Sequence, residues 1–274
     1  MEILFVILGV VLILAGVYLF LICPRIWGKP DRTAFSGVHY AHRGLFDNAS
    51  DAPENSLRAI RGAVEAGYGI EFDVQLSKDD IPVVFHDASL KRMCGVDGKV
   101  WEYTLNELRQ MKLADSNQTI PTFAEVLKTV DGKVPLIIEY KLDRVNTKVC
   151  ELGNELLKNY KGPYCIECFH PLAVLWYRKH RPDVMRGQLS MNHTREGRKA
   201  WYYQVMTYLL SNFVPRPDFI AYCHTDAGNF SRRLCRKLGG LAVAWTIKSQ
   251  EQYEKAKSEF DLFIFDSCIL KNPE

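Results

Sequence analysis

Apolar and polar positions follow two different periods along this chain. From residue 37 onward, short apolar runs are separated by longer segments in which apolar residues recur every three or four positions. The short runs predict strands, and the longer segments predict helices. Such regular alternation is typical of βα units built around a parallel sheet.

Eight strands and seven intervening helices are predicted. The strands are Val38–His42, Gly69–Gln75, Val134–Tyr140, Tyr164–Cys168, Val184–Leu189, Asp218–Tyr222, Ala242–Thr246 and Leu262–Phe265. The helices are Ser56–Ala66, Thr122–Val130, Asn146–Asn159, Pro171–Lys179, Arg195–Asn212, Phe230–Leu238 and Gln250–Ser258. This α/β pattern predicts a closed (β/α)8 TIM barrel, with an open doubly wound sheet as the alternative.

One further apolar run, Pro82–His86, interrupts the alternation. The turn-like residues 77–80 leave no room for a crossover helix after the second strand, so this run predicts a hairpin that returns over the barrel mouth. Residues 87–120 show no sustained period. We therefore expect residues 78–120 to form an insertion over that face of the barrel.

The first 23 residues differ from the rest of the chain. Positions 3–23 carry no charge, and as a helix they would be about 31 Å long, close to the thickness of a bilayer's hydrocarbon core. The pattern predicts a transmembrane anchor at 1–23, a linker at 24–36 and a barrel domain at 37–274. A cleaved signal peptide is the alternative, although no basic region precedes the apolar run and no A-x-A site follows it.

Charge and cysteine content narrow the class of protein and its compartment. A net charge of +3 with 24% charged residues favours neither disorder nor a nucleic-acid-binding surface. Basic residues after the apolar run, at Arg25, Lys29 and Arg32, favour a cytoplasmic catalytic domain on a single-pass anchor.

The eight cysteines lie mostly in apolar runs, as reduced thiols do. Cys165 and Cys168 have the C-x-x-C spacing of zinc-binding and redox motifs. Core packing is favoured, however, because two residues three apart in a strand point to opposite faces.

Charged residues gather where the predicted strands end, and in a TIM barrel this is the face that carries the active site. Glu71 and Asp73 are two apart with apolar neighbours, so both carboxylates are expected to point into the barrel. Glu139 and Lys141 repeat this spacing in the next barrel strand. Three carboxylates suit Mg²⁺ or Ca²⁺ better than zinc. Structural ion pairing with Lys141 or Arg43 is the alternative.

Six motifs, in order over residues 38–266, resemble the glycerophosphodiester phosphodiesterase family. They are His42-Arg43-Gly44, Pro53-Glu54-Asn55-Ser56, Glu71-Phe72-Asp73-Val74, Val83-Val84-Phe85-His86-Asp87, Glu139-Tyr140-Lys141 and Trp245-Thr246. The resemblance implies a TIM barrel with one bound divalent cation, Mg²⁺ or Ca²⁺. It also implies hydrolysis of glycerophosphodiesters or lysophospholipids to glycerol 3-phosphate or a lysophosphatidate and an alcohol.

The resemblance also implies a role for each residue of these motifs. The metal ligands would be Glu71, Asp73 and Glu139, the acid/base pair His42 and His86, and the phosphate-binding residues Arg43 and Lys141. Glu54 would orient His42 or take part in the metal site. Strand alternation places Trp245 on the inward face if Thr246 ends its strand outward, and there it would form a wall for the glycerol or alcohol or pack in the core.

Several alternatives remain open from the sequence. A cyclising, phospholipase D-like phosphotransferase would use the same residues, and a catalytically inactive barrel would serve as a membrane-tethered binding module. Cys168-Phe169 and Ile247-Lys248 depart from common family residues and leave the substrate head group undecided. The basic, aromatic segment 195–213, which includes Arg198 and Lys199, is expected to pack on the barrel, with contact to the bilayer as the alternative.

Overall fold

A computed structural model describes residues 1–142, 145–195, 197 and 200–273. Among these residues nine strands form one sheet, in which eight parallel strands close into a barrel through the pairing of the first and second strands. The strands are β1 (Tyr40–His42), β2 (Gly69–Leu76), β3 (Pro82–Val84), β4 (Leu136–Tyr140), β5 (Tyr164–Cys168), β6 (Met185–Ser190), β7 (Phe219–Cys223), β8 (Leu241–Ile247) and β9 (Leu262–Phe265). The predicted TIM barrel is confirmed.

Helices surround the barrel, and one long helix precedes it. The helices are α1 (Glu2–Ile22), α2 (Leu57–Glu65), α3 (Lys91–Cys94), α4 (Leu105–Leu108), α5 (Phe123–Val130), α6 (Lys148–Leu157), α7 (Pro171–His180), α8 (Trp201–Thr207), α9 (Phe230–Lys237) and α10 (Gln250–Ala256). Local sequence explains several of the starts. Ser56 caps α2, for example, and Thr122 with Glu125 forms a capping box at α5.

The alternation along each strand divides the barrel into two cores. Ile70, Phe72 and Val74 belong to the outer core between sheet and helices, whereas Ile137 and Cys165 belong to an inner apolar cluster. This inner cluster fills the interior below the point where the strands end. The rim formed by those strand ends, here called the C-terminal edge, is left to polar side chains.

The predicted hairpin is confirmed, because β3 pairs antiparallel with β2 in the register Val74↔Val84. The segment that follows carries the short helices α3 and α4 and has a small apolar core of its own, including Phe85, Met93 and Leu108. Sequence periodicity missed this structure because each helix is only a single turn long.

The helix predicted over Arg195–Asn212 is shorter in the structure. Its regular part, α8, begins after Ala200 and ends at Thr207, and Leu209 then adopts a positive φ of 57° that no α-helix continues through. Arg198 and Lys199 lie outside the described residues. The cysteine prediction is confirmed, because Cys165 is buried in the inner cluster and Cys168 in the outer core.

Residues after α1 pack against the barrel at the edge where the strands begin. Arg25 donates to Pro182 O at 2.8 Å, and Lys29 donates to Gly239 O at 2.7 Å. Arg32 donates to Asp218 O at 3.1 Å. The predicted linker is therefore fastened to the loops that precede β6, β7 and β8.

Candidate active site

Three carboxylates from two neighbouring strands converge at the C-terminal edge. Glu71 and Asp73 share the inward face of β2, and Asp73 lies opposite Glu139 of β4 in the sheet register. One oxygen from each carboxylate lies within 4.8 Å of the other two. All three residues are buried. This hard-oxygen donor set fits a divalent cation such as Mg²⁺ or Ca²⁺.

Lys141 supplies the nearest positive charge to this cluster. Its Nζ lies 2.9 Å from Asp73 Oδ1 and 2.6 Å from Glu139 Oε1. Burial would lower the pKa of Lys141, but the two carboxylates raise it above its ordinary value. The side chain therefore remains an ammonium group at the mouth of the site.

The carboxylates differ in how well their charge is compensated. Burial raises the pKa of Glu71 well above its ordinary value, and the charges of Asp73 and Glu139 add to that effect. Burial opposes ionisation of Asp73 too, but Lys141 overrides it and lowers its pKa. A divalent cation among the three oxygens would remove the repulsion that disfavours charge on Glu71.

His42 ends β1 beside the cluster and is held by Asp266, the residue that follows β9. Its Nδ1 lies 2.9 Å from Asp266 Oδ2, and its Nε2 lies 3.8 Å from Glu71 Oε2. Burial lowers the pKa of His42, while the hydrogen bond with Asp266 acts in the opposite direction. The chain can turn sharply here because Gly44 adopts a φ of 83°, where a Cβ would lie 2.7 Å from the backbone of Ala59.

His86 reaches the site from the hairpin. Its Nδ1 lies 2.6 Å from Asp87 Oδ1, and Arg92 Nε donates to the other oxygen of Asp87 at 2.6 Å. Gln75 of β2 donates to the carbonyls of Phe85, His86 and Asp87 at 2.8, 3.1 and 2.9 Å. A single amide thus fixes the turn that carries the histidine.

Glu54 holds two arginines. Its carboxylate accepts from Arg43 NH1 at 2.7 Å and from Arg92 NH2 at 2.6 Å. Burial would raise the pKa of Glu54, but Arg92 and Arg43 lower it to about 2. Glu54 thus contacts Arg43, which lies beside the metal cluster, and the role of Glu54 in orienting His42 or in the metal site stays a prediction.

Arg43 links this arginine pair to the metal cluster. Its Nε lies 3.6 Å from Asp73 Oδ2, and its backbone N–H donates to Glu71 Oε2 at 3.3 Å. Burial would lower the pKa of Arg43, but Asp73, Glu54 and Glu71 together raise it. A guanidinium group therefore stands beside the carboxylates, where it can meet a phosphate.

Most of these side chains line a pocket of about 360 Å³ at the C-terminal edge, whereas Asp73 lies behind its wall, in contact with Lys141. The predicted residues on its wall are His42, Arg43, Glu54, Glu71, His86, Glu139, Lys141 and Trp245. Trp245 lines this pocket and also packs against the inner apolar cluster, and its ring meets Phe169 edge-on, with centroids 5.7 Å apart. Among the described residues, nothing forms a hydrogen bond with its buried indole Nε1.

Sequence reasoning missed several polar residues of this site, among them Asp87, Arg92 and Gln75 described above and the three that follow. Asp266 follows β9, Glu167 lies opposite Glu139 on the inward face of β5, and Asn55 donates to Asp73 Oδ2 at 2.9 Å. The signal for Glu167 was strand parity, since it is a lone acid inside a predicted strand. Burial and the charge of Glu139 raise its pKa well above the ordinary value. The signal for Asp266 was its place directly after a predicted strand.

The site can be compared with known proteins. The model of the glycerophosphoryl diester phosphodiesterase family matches residues 42–268. Glycerophosphodiester phosphodiesterase 1 of Bos taurus is 35% identical over 268 residues, covering 84% of this chain and 77% of that protein. A glycerophosphodiester phosphodiesterase of Caldanaerobacter subterraneus is 38% identical, covering 78% and 87%. A solved phosphodiesterase of Oleispira antarctica, in complex with the product sn-glycerol-3-phosphate, has a TM-score of 0.68 and 25% identity, covering 85% and 94%.

Proposed function

This chain belongs to the glycerophosphoryl diester phosphodiesterase family, and we propose that it hydrolyses glycerophosphodiesters to glycerol 3-phosphate and an alcohol with the help of one divalent cation. The observation that carries the proposal is the buried cluster of Glu71, Asp73 and Glu139, with a histidine on each of two adjoining segments. An inactive binding module is not favoured, because it would have no need to keep these groups in one pocket.

Phosphate recognition is assigned to the two cations beside the cluster, Arg43 and Lys141. A phosphodiester is negatively charged and gains further charge in the transition state, so fixed positive groups stabilise it. When bound, the divalent cation would supply the same kind of neutralisation, held by Glu71, Asp73 and Glu139. We propose Mg²⁺ or Ca²⁺, since all three ligands are carboxylates.

Proton transfer is assigned to His42 and His86. Each ring bonds through Nδ1 to a carboxylate, which can only accept a hydrogen bond, so each Nδ1 carries a proton. The Nε2 atoms are then free to remove a proton from the attacking hydroxyl or to protonate the leaving alkoxide. Asp266 and Asp87 orient the rings for these steps.

Metal removal tests the central assignment. We expect the full-length protein, assayed in detergent with glycerophosphocholine, to lose at least about 100-fold in activity in EDTA and to recover it on addition of Mg²⁺ or Ca²⁺. The variants Glu71→Gln and Asp73→Asn should lack that recovery, whereas Glu251→Gln, an exposed carboxylate on α10, should retain it. Full activity in EDTA would overturn the metal assignment.

The apolar helix α1 is proposed to remain on the protein as a single-pass anchor. It has a mean hydropathy of 3.0 and is long enough to cross a membrane or to act as a signal sequence. Its last turn supports retention, because Ile22 is fully buried and its carbonyl accepts from Cys235 Sγ at 3.1 Å. A full-length protein in carbonate-washed membranes, with its N-terminus intact by mass spectrometry, is the expected result.

The domain limits and the orientation are proposed with the anchor. We assign 1–23 to the anchor, 24–36 to the connecting segment, 37–274 to the barrel and 78–120 to the insertion. A cytoplasmic barrel is supported by Arg25, Lys29 and Arg32 after the span. Protease treatment of sealed spheroplasts should then leave the barrel intact, and digestion there would reverse the orientation.

A further inference from the structure

A second pocket, larger than that of the candidate active site, lies at the opposite edge of the barrel. It encloses about 770 Å³ and is formed mainly by residues of the segment 19–27 together with Arg178, Pro182, Arg186 and Arg216. The segments that precede β6 and β7 contribute to it, and such segments lie at the edge away from the active site. None of the described residues on its wall also lines the candidate active site. We call it the junction pocket, because it lies where α1 meets the barrel.

Four arginines line the junction pocket, namely Arg25, Arg178, Arg186 and Arg216. Their guanidinium groups donate hydrogen bonds to backbone carbonyls, those of Pro182, Val214, Arg216 and Cys23 respectively. A carbonyl oxygen fixes the position of a guanidinium group but does not cancel its charge. The four cations are therefore held in place without being neutralised by these contacts.

Carboxylates compensate this charge only in part. Within the described parts of the chain, Asp218 is the one carboxylate within 4 Å of any of the four guanidinium groups, and it lies 3.7 Å from Arg25 Nη1 and 3.7 Å from Arg186 Nη1. One carboxylate against four guanidinium groups leaves an excess of three positive charges. The junction pocket is thus a site that favours an anion.

Arg186 has an unused donor as well as an incompletely compensated charge. Its side chain is 3% exposed, and the distance of its Nη1 from Asp218 is too long for a hydrogen bond. Among the described residues nothing accepts a hydrogen bond from this buried Nη1. Burial lowers the pKa of Arg186 to about 10, and Arg25 and Arg178 add to that effect although Asp218 opposes it. An anion in the pocket would satisfy both the charge and the donor.

The length of α1 places the junction pocket at the depth of lipid headgroups. The 21 residues of α1 span about 31 Å as a helix, and a hydrocarbon core is about 30 Å thick. When α1 crosses a bilayer, Ile22 therefore lies at the boundary of the hydrocarbon on the side of the barrel. The headgroup layer beyond this boundary is about 5–7 Å thick. Residues 23–27, which form one wall of the pocket, begin within that layer.

The junction pocket also has an apolar side next to α1. Leu19 and Phe20 belong to α1, and Trp27, which is 85% exposed, follows it. The guanidinium carbon of Arg216 lies 4.6 Å from the centroid of the Phe20 ring, so cationic and apolar surfaces adjoin. A ligand that fits both surfaces has an anionic head and an apolar tail, as an anionic phospholipid does.

We propose that the junction pocket binds the headgroup of one anionic phospholipid from the bilayer that α1 crosses. The lipid phosphate accepts hydrogen bonds from Arg186 Nη1 and from the guanidinium groups of Arg25 and Arg178, and the acyl chains lie along Leu19 and Phe20. The lipid is a bound ligand and not a substrate, so no covalent bond forms or breaks. This inference rests on the proposed anchor and is independent of the proposed reaction.

Native mass spectrometry of the full-length protein in detergent measures lipid binding directly. Dioleoylphosphatidylglycerol is the anionic probe, dioleoylphosphatidylcholine has the same acyl chains without net charge, and inorganic phosphate has no acyl chain. We expect one phosphatidylglycerol per protein at lipid concentrations that leave phosphatidylcholine unbound, and no displacement by excess phosphate. Equal retention of the two lipids would overturn the proposal. Displacement by phosphate would show that a free anion occupies the pocket and would overturn the lipid as its ligand.

Substitutions of the arginines test where the lipid binds. Arg178 is exposed, and we expect Arg178→Gln to weaken the apparent affinity for phosphatidylglycerol about fivefold, which corresponds to about 1 kcal/mol for one basic residue at an anionic membrane surface. Arg186→Gln should weaken it at least about tenfold, because it removes the buried cation. The matched control is Arg58→Gln, which removes an exposed arginine paired with Asp51 and should leave the affinity unchanged.

Thermal melts without lipid show which variants fold. Because Arg186 is buried, its variant is interpreted only if it melts cooperatively, and Arg178→Gln decides the outcome otherwise. An affinity of Arg178→Gln equal to that of Arg58→Gln would contradict the assignment of the lipid to the junction pocket.

Hydrogen–deuterium exchange locates the bound lipid without any substitution. We expect phosphatidylglycerol, but not phosphatidylcholine, to slow amide exchange in peptides that cover 23–27 and 213–217, which border the junction pocket. Peptides that cover 86–94, at the edge of the active site, should exchange at unchanged rates. Slower exchange confined to the active-site edge would overturn the proposal. Neither readout uses activity, so failure of the proposed reaction would leave both results unaffected.

Discussion

At the scale of single residues, His42 and His86 have the same pattern of hydrogen bonds. Each ring bonds through Nδ1 to a carboxylate, and each carboxylate has a further polar partner, Ser267 for Asp266 and Arg92 for Asp87. Orienting groups of this kind commonly change activity 10- to 100-fold when they are removed. The carboxylates are therefore expected to matter although neither is assigned a bond-making step.

Asp266→Asn tests this expectation for His42. We expect kcat to fall about 10- to 100-fold with little change in KM, because the amide no longer enforces the proton on Nδ1. Steady-state kinetics with glycerophosphocholine measures the effect. The control is Ser267→Ala, which removes one hydrogen bond to Asp266 but keeps its charge, and should stay within about threefold. A kcat for Asp266→Asn as high as that of the control would refute the orienting role.

The ion pairs of Glu54 with Arg43 and Arg92 are expected to make the stability of the folded protein depend on pH. Its pKa is about 2 in the folded protein against an ordinary value of 4.5, so its contribution is present above pH 4.5 and is lost as the pH falls toward 2. That contribution amounts to about 3 kcal/mol. We expect Glu54→Gln to lower the free energy of unfolding by about this amount at pH 7 and to converge with the unmodified protein near pH 2. Denaturant titrations between pH 2 and 7 measure it, with exposed Glu251→Gln as the control.

At the scale of elements, one glutamine fastens the β2–β3 hairpin. Gln75 binds three successive carbonyls around His86 through a single amide nitrogen. Gln188 on β6 likewise donates to two successive carbonyls at the end of β5, those of Cys168 and Phe169, and also to the carbonyl of its neighbour Leu189. The barrel thus uses a glutamine to hold each of two segments. The segment held by Gln75 carries His86, a proposed proton-transfer residue.

The variant Gln75→Leu tests whether Gln75 positions His86 for catalysis in addition to stabilising the folded protein. We expect a loss of about 1–3 kcal/mol in unfolding free energy from carbonyls left without a partner, together with a fall in kcat of about 100-fold as His86 shifts. Gln188→Leu should show a similar stability loss with a much smaller fall in kcat. Equal effects of the two variants on kcat would contradict a specific role for Gln75 in placing His86.

At the scale of the whole molecule, the last turn of α1 is part of the folded domain. Phe213 N donates to Leu21 O at 2.8 Å, and Arg216 donates to the carbonyls of Phe20 and Cys23, each at 2.9 Å. Its final turn therefore acts as an outer helix that covers α9 and the loop before β7. Removal of the anchor is expected to expose part of the outer core.

Two truncations measure this contribution. A chain that starts at Gly16 keeps Tyr18 and Ile22, whereas a chain that starts at Pro24 loses both. We expect the shorter chain to be less stable by about 3 kcal/mol, the usual effect of losing one fully buried large aliphatic side chain. Urea denaturation in the same detergent compares them. Identical midpoints would mean that the last turn of α1 does not stabilise the barrel.

Much of the fold was predictable because its signals are local. The strands Tyr164–Cys168 and Leu262–Phe265 were predicted with their observed limits, since apolar runs and strand lengths coincide there. The short helices α3 and α4 and the early end of α8 were missed. A single helical turn is too short to show a period, and the end of α8 depends on a left-handed residue that the apolar pattern does not reveal.

The sequence by itself determined the barrel and the inward position of Glu71, Asp73 and Glu139, because side chains alternate along a strand whatever its surroundings. Only the tertiary structure decided what each of these groups meets. Asp266 reaches His42 across 224 positions because β9 closes the barrel beside β1. The direction of α1 relative to the barrel likewise depends on packing against α9, which no local pattern encodes.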